Sequence, residues 1–426
     1  MKGMPKRTPR LGRGVALVGA GMSKFGVVAD KSGRDLFVEA FQEMQASVDK
    51  GLDVMDIEAL YLGNYSSDLF EGQCHTAPIM ADWVGLVPKP ATRIEGACAS
   101  GGVALREGII AIASGLYDVV LVGGMEKMTN LSTEKVTDAL AVAGDMSYEF
   151  PAGFTFPGLY AAMATAYMGK YGAQVEHFMK VGIKNHNNGA LNPKAQFNST
   201  IKDIMEGRMA RAKQRGQPVP TWADEMSFLH DPQANPVVAW PMRLFDCSPI
   251  TDGAACLLLV SEELAQAFSD NPIDIIGSGQ ASDHALHERP ELTSIASARI
   301  ATKQAYDMAG VKPQDVQIAE VHDCFTIAEI LATEDLGFFR PGEGFKAVEE
   351  GVTARDGAKP VNTSGGLKAK GHPVGASGCA QVVEIWHQMR GTAGPRQVPG
   401  QDIHLALTHN VGGTGGTSVV HIFHKR

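Results

Sequence analysis

The chain has 426 residues, of which 44% are hydrophobic and 20% charged, and its formal net charge is −9. This length allows two or three domain-sized units with large cores, while the acidic balance excludes a basic nucleic-acid surface and no run approaches the roughly 18 apolar residues of a membrane helix. Six scattered cysteines without a Cys-x-x-Cys pair argue against a disulfide framework and a structural zinc site, so we expect a reducing, cytoplasmic compartment.

The chain begins with a basic segment. Residues 1–14 hold five lysines and arginines and no acidic residue. The segment lacks the apolar core of a signal peptide and is short for an amphipathic transit helix. We therefore expect a flexible basic arm over residues 1–14.

The same succession of predicted strand, helix and strand occurs twice along the chain. This repeat predicts two similar α/β halves. In the first, a strand at 15–18 precedes a helix at 35–48 and a strand at 57–62; in the second, a strand at 273–276 precedes a helix at 297–308 and an apolar run at 316–321. Gly19-Ala20-Gly21 lacks the third glycine of a dinucleotide-binding loop, since Lys24 stands there. We expect these glycines to form a plain exit from the first strand.

The pattern changes between residues 127 and 240, which are rich in proline and polar residues. Within this stretch, the segment 208–236 holds four prolines. It is consistent with an irregular surface excursion, a lid, a partner-docking surface or a tolerated insertion.

Cys98 is the most informative residue, in Glu95-Gly96-Ala97-Cys98-Ala99-Ser100-Gly101-Gly102. The alanine-rich run that follows predicts a buried helix with the thiol in its first turn. Free N–H groups and the helix dipole favour a thiolate there. The alternative is an inert core cysteine, which is common for small buried thiols.

Two further segments carry reactive side chains. Val321-His322-Asp323-Cys324-Phe325 follows the apolar run 316–321, and His372 lies in Gly371-His372-Pro373. Such residues on strand-to-helix turns collect at one edge of an open α/β sheet. His322 and Cys324 could also ligate a metal, but two ligands without partners at zinc spacing are weak evidence.

These motifs resemble the thiolase family, in particular the branch of sterol carrier protein-type and archaeal acetyl-CoA acetyltransferases. The matching motifs span residues 14–426 and are the Cys98 segment, Gly123-Gly124-Met125-Glu126, Asp246-Cys247-Ser248-Pro249, His322-Asp323-Cys324-Phe325, Gly371-His372-Pro373 and His409-Asn410-Val411-Gly412-Gly413. The resemblance implies a five-layer αβαβα fold with halves at 15–267 and 268–426. It also implies that residues 127–240 form a loop domain over the coenzyme A site.

The resemblance implies a role for each reactive residue. Cys98 would form the acyl-enzyme, and His372 would deprotonate it. Most thiolases supply the second cysteine in a Cys-x-Gly motif, but here Asn410-Val411-Gly412 stands in that place. We therefore assign the acid/base role to Cys324.

Two oxyanion holes follow from the same resemblance. His322 and His372 would bind the enolate oxygen, and the backbone N–H groups of Cys98 and Gly412 would bind the tetrahedral intermediate. Ser248 and Asn410 are expected to contact substrate. Residues with expected structural roles are Asp323, Cys247, Cys256, Cys379, His404, His421 and His424.

The predicted activity is that of a thiolase, with acetoacetyl-CoA as the default substrate. A bulky or aromatic 3-ketoacyl-CoA and a retro-aldol reaction with a zinc-ribbon/OB-fold partner remain alternatives. A decarboxylating ketoacyl synthase would not need Cys324, and a non-catalytic scaffold would not need the complete set. We expect acyl-CoA and coenzyme A as ligands, no metal or other cofactor, and a homodimer or a dimer of dimers.

Overall fold

Strands and helices alternate along residues 10–426, the part of the chain that this computed structural model describes. The strands are β1 Val15–Met22, β2 Ala59–Gly63, β3 Ala91–Ile94, β4 Val119–Glu126, β5 Val237–Ala239, β6 Met242–Arg243, β7 Gly253–Ser261, β8 Ile273–Ser282, β9 Ile318–Glu320, β10 Leu405–Gly412 and β11 Thr417–Lys425. The helices are α1 Gly33–Ala46, α2 Ser67–Phe70, α3 Thr76–Trp83, α4 Ser100–Ala113, α5 Thr133–Ala141, α6 Phe156–Tyr171, α7 Val175–Ala190, α8 Ile201–Gln214, α9 Glu225–His230, α10 Ala265–Phe268, α11 Ala296–Ala309, α12 Thr326–Asp335, α13 Gly344–Glu349, α14 Gly366–Lys370 and α15 Ser377–Arg390.

The main sheet has the order β3-β2-β4-β7-β1-β8-β11-β10-β9, and its two halves share one topology. In the first half β2 pairs in parallel with β3 and β4, and β7 lies antiparallel between β4 and β1. In the second half β9 and β10 are parallel, and β11 lies antiparallel between β10 and β8. A single bridge from Ala319 to Val361 stands in the place of β3. It extends no further because Asn362 turns to a φ of +59°. The predicted repeat is therefore confirmed, with one strand reduced to a bridge.

Five layers follow from the alternation of side chains along the strands. In β1, Val15 and Leu17 face a core shared with α4 and α15, whereas Ala16 and Val18 face a core with α1 and α3. A third core lies on the outer face of the second half, against α11 and α12. The order α1/α3, first half-sheet, α4/α15, second half-sheet, α11/α12 is the predicted αβαβα arrangement.

Gly19 and Gly21 do not form a strand exit, because β1 continues through both to Met22. A Cβ on Gly21 would lie 2.2 Å from the backbone nitrogen of Met44, so glycine lets α1 approach β1 closely. Gly279 does the same in β8, where a Cβ would lie 1.9 Å from the Ala301 carbonyl oxygen of α11. The Gly-x-Gly pairs therefore mark helix–strand contacts in both halves.

The stretch between 127 and 240 is largely helical. It holds α5 to α9, and α7 packs with α8 and α9 around a separate small core. Within the segment 208–236, residues 215–224 between α8 and α9 and residues 231–236 after α9 lack helix and strand.

At the start of the chain, residues 1–9 of the predicted arm lie outside the described residues. Arg13, near its end, forms ion pairs with Asp118 at 2.5 Å and Glu263 at 2.9 Å. Among residues 10–426, no helix is long and apolar enough to cross a membrane.

Candidate active site

The starts of α4 and α15 meet at a contact between glycines, and this brings the Cys98 and His372 segments together. A Cβ on Gly378 would lie 2.2 Å from the backbone nitrogen of Gly102, and one on Gly101 would lie 2.7 Å from the Gly375 carbonyl oxygen. Any side chain there would force the two helices apart. The two helices occupy equivalent positions in the repeat, since α4 lies between β3 and β4 and α15 lies between the Val361 bridge and β10.

The backbone before Cys98 is constrained. Ala97 has a φ of +50°, which costs a non-glycine residue about 1 kcal/mol or more. Ser100 holds this turn, because its Oγ accepts the Gly96 N–H at 3.0 Å and donates to the Ala97 carbonyl at 2.6 Å. Cys98 is 9% exposed and lies immediately before α4.

Cys98, His322 and His372 form a compact buried cluster. The Cys98 Sγ and one nitrogen of each imidazole lie within 4.8 Å of one another. The two rings are nearly perpendicular, with centroids 5.1 Å apart. The Nε2 atoms of both histidines are buried and have no hydrogen-bond partner among residues 10–426. This geometry leaves both atoms available to a reacting group.

The other nitrogen of each ring is bound to the protein. His372 Nδ1 lies 2.6 Å from the Ser377 Oγ, and His322 Nδ1 lies 3.0 Å from the Asn410 Nδ2. These contacts fix the ring planes. A thiol and two imidazoles could also bind zinc, so the cluster alone fits either a metal site or a thiol nucleophile with its base.

Burial determines the charge state of the cluster. It raises the pKa of the Cys98 thiol to about 12, with a smaller opposing effect of the Gly413 N–H that donates to the sulfur. Burial also lowers the pKa of His372 to about 3, and Lys370 adds to this shift. The pKa of His322 is lowered well below its usual value for the same reason. The free site therefore holds a neutral thiol and neutral imidazoles, not the thiolate that the helix start predicted.

Cys324 lies on the turn between β9 and α12, close enough to Cys98 for the charge of one thiolate to raise the pKa of the other thiol. The Tyr160 hydroxyl contacts the Cys324 sulfur and donates to the Gly413 carbonyl at 3.0 Å. The N–H of Gly413 donates to the Cys98 sulfur. Gly413 therefore contacts Cys98 through its N–H and, through its carbonyl, the tyrosine that contacts Cys324. The sequence motifs did not indicate Tyr160, because it lies in the loop segment.

A cavity of about 530 Å³ adjoins the cluster. It is lined by Gly96, Ala97 and Gly412, with Tyr65 and Glu95 among the residues at its sides. This volume lies in the range of small-molecule sites. The backbone of Gly412 packs directly against the Gly96 backbone of the first half. Only glycine fits there, because a Cβ would lie 2.2 Å from the Gly96 carbonyl oxygen.

The remaining predicted site residues have structural contacts. The Ser248 N–H donates to the Cys324 carbonyl at 2.9 Å and so holds the Cys324 turn. Asn410 is buried, and both N–H groups of its amide are used, for the Cys98 carbonyl at 3.1 Å and for His322. It therefore has no N–H for the substrate contact that the sequence predicted.

Two buried carboxylates support the site. Asp323 accepts the Leu367 N–H at 2.6 Å and the Asn185 side-chain amide at 2.7 Å, which ties the His322 turn to the start of α14. Glu126 accepts backbone N–H groups of Tyr65 at 2.8 Å and Gly375 at 3.0 Å. The expected loop-structuring role fits these contacts of Asp323.

The cysteines expected in the core differ in burial. Cys256 and Cys379 are fully buried, whereas Cys247 is only partly buried and donates to the Arg243 carbonyl at 3.3 Å. His421 is buried, with Nε2 3.0 Å from the Gly102 carbonyl oxygen. His404 lies at the surface beside Asp402.

Comparison with known families gives two matches that together cover most of the chain. Residues 15–263 match the family described as "Thiolase, N-terminal domain", and residues 279–425 match "Thiolase C-terminal domain-like".

Individual proteins agree with these matches. The acetyl-CoA acetyltransferase of Methanothermobacter thermautotrophicus is 45% identical, over 97% of this chain and 100% of the relative. Sterol carrier protein 2 of Oryctolagus cuniculus is 30% identical, over 96% of this chain and 71% of that protein. The solved structure titled "Ltp2-ChsH2(DUF35) aldolase" superposes with a TM-score of 0.75 at 24% identity, over 97% of this chain and 98% of that one.

Proposed function

The chain belongs to the thiolase family, and we propose from this premise that it makes or cleaves 3-ketoacyl-CoA thioesters through an acyl-enzyme on Cys98. The family membership confirms the resemblance seen in the motifs and identifies the chain as an acyltransferase. One observation carries the proposed mechanism: the Cys98 Sγ and the imidazole nitrogens of His322 and His372 share one buried space within 4.8 Å.

In the first half-reaction, Cys98 attacks the carbonyl carbon of an acyl-CoA. His372 Nε2 takes the thiol proton as the C–S bond forms. The backbone N–H groups of Cys98 and Gly412 stabilise the oxyanion of the tetrahedral intermediate. Coenzyme A then leaves with the proton of the Cys324 thiol, so Cys324 becomes a thiolate, His372 keeps its proton on Nε2, and the acyl group remains on Cys98 as a thioester.

In the second half-reaction, a second acyl-CoA loses a proton from its α-carbon to the Cys324 thiolate. His322 and His372 bind the resulting enolate oxygen. The α-carbon attacks the acyl group on Cys98, a C–C bond forms, and the Cys98–acyl bond breaks to release 3-ketoacyl-CoA, while the Cys98 sulfur takes back its proton from His372. Thiolysis is the same path in reverse.

For the substrate we propose acetoacetyl-CoA in the cleavage direction. This proposal is supported by the relative named acetyl-CoA acetyltransferase, which is 45% identical over nearly the whole chain. A longer or aromatic acyl group is the alternative, and the cavity of about 530 Å³ beside Gly412 offers it room. Ser248 is the proposed contact for the pantetheine arm.

A retro-aldol reaction is the second candidate, because a solved relative of the same fold is titled an aldolase with a DUF35 component. Thiolase turnover requires both cysteines, Cys98 for the acyl-enzyme and Cys324 for proton transfer at the α-carbon, whereas a retro-aldol cleavage forms no acyl-enzyme. We propose a homodimer and, as an additional partner, a small zinc-ribbon/OB-fold protein. Light scattering of the purified chain and co-purification with a tag test these two assemblies.

The experiment for the function is a thiolysis assay that follows loss of acetoacetyl-CoA on addition of coenzyme A. We expect activity in the wild type that a metal chelator does not remove. Cys98→Ala should lose both thiolysis and the acetyl adduct on the protein. Cys324→Ala should lose thiolysis by at least about 10²-fold but keep the adduct on Cys98.

A matched control replaces a cysteine outside the cluster. Cys256→Ala removes a buried thiol of β7 in the core with α1 and α3 and should leave the adduct and the rate per folded molecule unchanged. Full thiolysis by Cys324→Ala would contradict its acid/base role. If the wild type cleaves a 3-hydroxyacyl-CoA without forming an adduct, the retro-aldol candidate replaces the thiolase.

A further inference from the structure

The side chain of Asn410 contacts three groups of the site at once, and the identity of each fixes how its amide is oriented. The Asn410 Oδ1 lies 3.2 Å from the Gly102 nitrogen, which can only donate. The Nδ2 lies 3.1 Å from the Cys98 carbonyl oxygen, which can only accept. Exchanging the oxygen and nitrogen of the amide would break both bonds, so one orientation is permitted.

This orientation determines the tautomer of His322. The second N–H of the Asn410 amide points at His322 Nδ1, 3.0 Å away. A neutral imidazole carries one proton, and Nδ1 must have a lone pair to accept this bond. The proton therefore lies on Nε2, a buried atom without a hydrogen-bond partner among residues 10–426, in a ring that has a nitrogen within 4.8 Å of the Cys98 Sγ and of a His372 nitrogen.

His372 is held by a different kind of partner. Its Nδ1 lies 2.6 Å from the Ser377 Oγ, which also lies 2.8 Å from the Pro373 carbonyl oxygen. The Ser377 hydroxyl donates its one hydrogen to the Pro373 carbonyl, so it accepts a hydrogen bond from the Nδ1–H of His372. The neutral His372 ring therefore carries its proton on Nδ1 and has a lone pair on Nε2. The two histidines can then present a donor and a base to the same space.

We propose that Asn410 is a positioning residue that holds His322 as the Nε2–H tautomer and so makes it a permanent donor to the enolate oxygen. This inference rests on the proposed function, since it assigns the second half-reaction to His322. Asn410 stands where most thiolases have the Cys-x-Gly cysteine, and the proposal gives this position the role of orienting a histidine. The first half-reaction, in which His372 is the base, does not depend on it.

The first test measures the tautomer directly. Nitrogen NMR of the full chain with ¹⁵N-labelled histidine, assigned with His322→Gln, should show a protonated Nε2 and a bare Nδ1 for His322. In Asn410→Asp the buried side chain is a neutral carboxylic acid whose one O–H still donates to the Cys98 carbonyl, so the same oxygen can only accept from His322 and the proton should appear on Nδ1. A protonated Nδ1 in the wild type, or a bare Nδ1 in Asn410→Asp, overturns the proposal.

The second test separates the half-reactions. Exchange of labelled coenzyme A into acetyl-CoA reports acylation of Cys98, and thiolysis of acetoacetyl-CoA reports both steps. In Asn410→Asp we expect kcat of thiolysis to fall by about 10²-fold, with KM and the exchange rate within about threefold. An equal fall in both rates would give Asn410 a merely structural role and contradict the proposal, as would no fall.

A control addresses general damage to β10. Gln381 is buried in α15 and donates to the His409 carbonyl at 3.0 Å, one residue before Asn410. Gln381→Leu removes this bond without touching His322 and should lower both rates per folded molecule by less than threefold. If the wild type has no thiolase activity at all, the proposed function fails, while the NMR measurement still decides the tautomer.

Discussion

At the scale of single residues, the environment of Cys98 opposes what its local sequence favours. A thiol at a helix start gains from N–H groups and the dipole. The fold buries this thiol beside Glu126 and Glu95, and these effects together raise its pKa to about 12. His372 is neutral for the same reason, with a pKa lowered to about 3. We therefore propose that Cys98 is activated when its proton moves to His372 during attack.

This neutrality predicts how Cys98 is alkylated. Burial raises the pKa of Cys98 to about 12. At any pH below this value, the fraction of thiolate increases about tenfold for each unit by which the pH rises. The rate of alkylation by iodoacetamide should therefore increase about tenfold per pH unit between pH 6 and pH 9. A thiolate–imidazolium pair would instead give a rate that is flat over this range. Peptide mass spectrometry of Cys98 measures the rate.

The exposed Cys74 provides the internal comparison, because it reacts in the same samples without a buried base. A plateau for Cys98 at neutral pH would show that an ion pair forms and that burial does not control the charge state.

At the scale of elements, pairs of glycines set the distance between helices and strands. In β1 and β8 they allow α1 and α11 to lie against the strand backbone, and at the starts of α4 and α15 they allow the helices to touch. The positions of Cys98 and His372 depend on the last of these contacts. A side chain there would move the nucleophile away from its base.

A methyl group at one of these contacts should destabilise the fold. We expect Gly21→Ala to lower the free energy of unfolding by about 1–3 kcal/mol, because its Cβ would lie 2.2 Å from the Met44 backbone nitrogen. Urea denaturation followed by circular dichroism measures the change.

Gly169→Ala is the matched control. Gly169 is an exposed residue of α6, and a Cβ there would meet nothing within 4 Å. Alanine favours the helix, so we expect stabilisation by about 0.5–1 kcal/mol. Equal effects of the two substitutions would refute the close-contact explanation.

At the scale of the whole molecule, the two halves share the core between their sheets. Leu105 of α4 and Leu257 of β7 belong to the same buried cluster as Val382 and Trp386 of α15 and Phe423 of β11. Neither half can bury these side chains alone. The reactive groups are divided in the same way, since Cys98 lies in the first half and the histidines lie in the second.

The shared core predicts that the halves unfold together. Urea transitions followed by circular dichroism and by tryptophan fluorescence should coincide, and residues 1–267 expressed alone should lack cooperative unfolding. Independent folding of that fragment, with a sharp transition of its own, would show that the halves are separate domains.

The sequence by itself determined the family and the two-fold repeat of elements, and its motifs predicted the four reactive residues, because short motifs and alternating apolar positions are local properties of the chain. It also indicated most strands and helices of the repeat to within a few residues. It misplaced the glycines of β1, since a close contact with a helix cannot be recognised from neighbours in sequence.

Only the tertiary structure decided the protonation of the site and the contacts of Asn410. Burial depends on residues distant in sequence, and it outweighs the helix start that surrounds Cys98. Asn410 lies more than 300 residues after Cys98 and Gly102, yet its amide contacts both. The hydrogen bonds that orient His322 exist only once the two halves have packed together, and this is why the motifs alone could not reveal them.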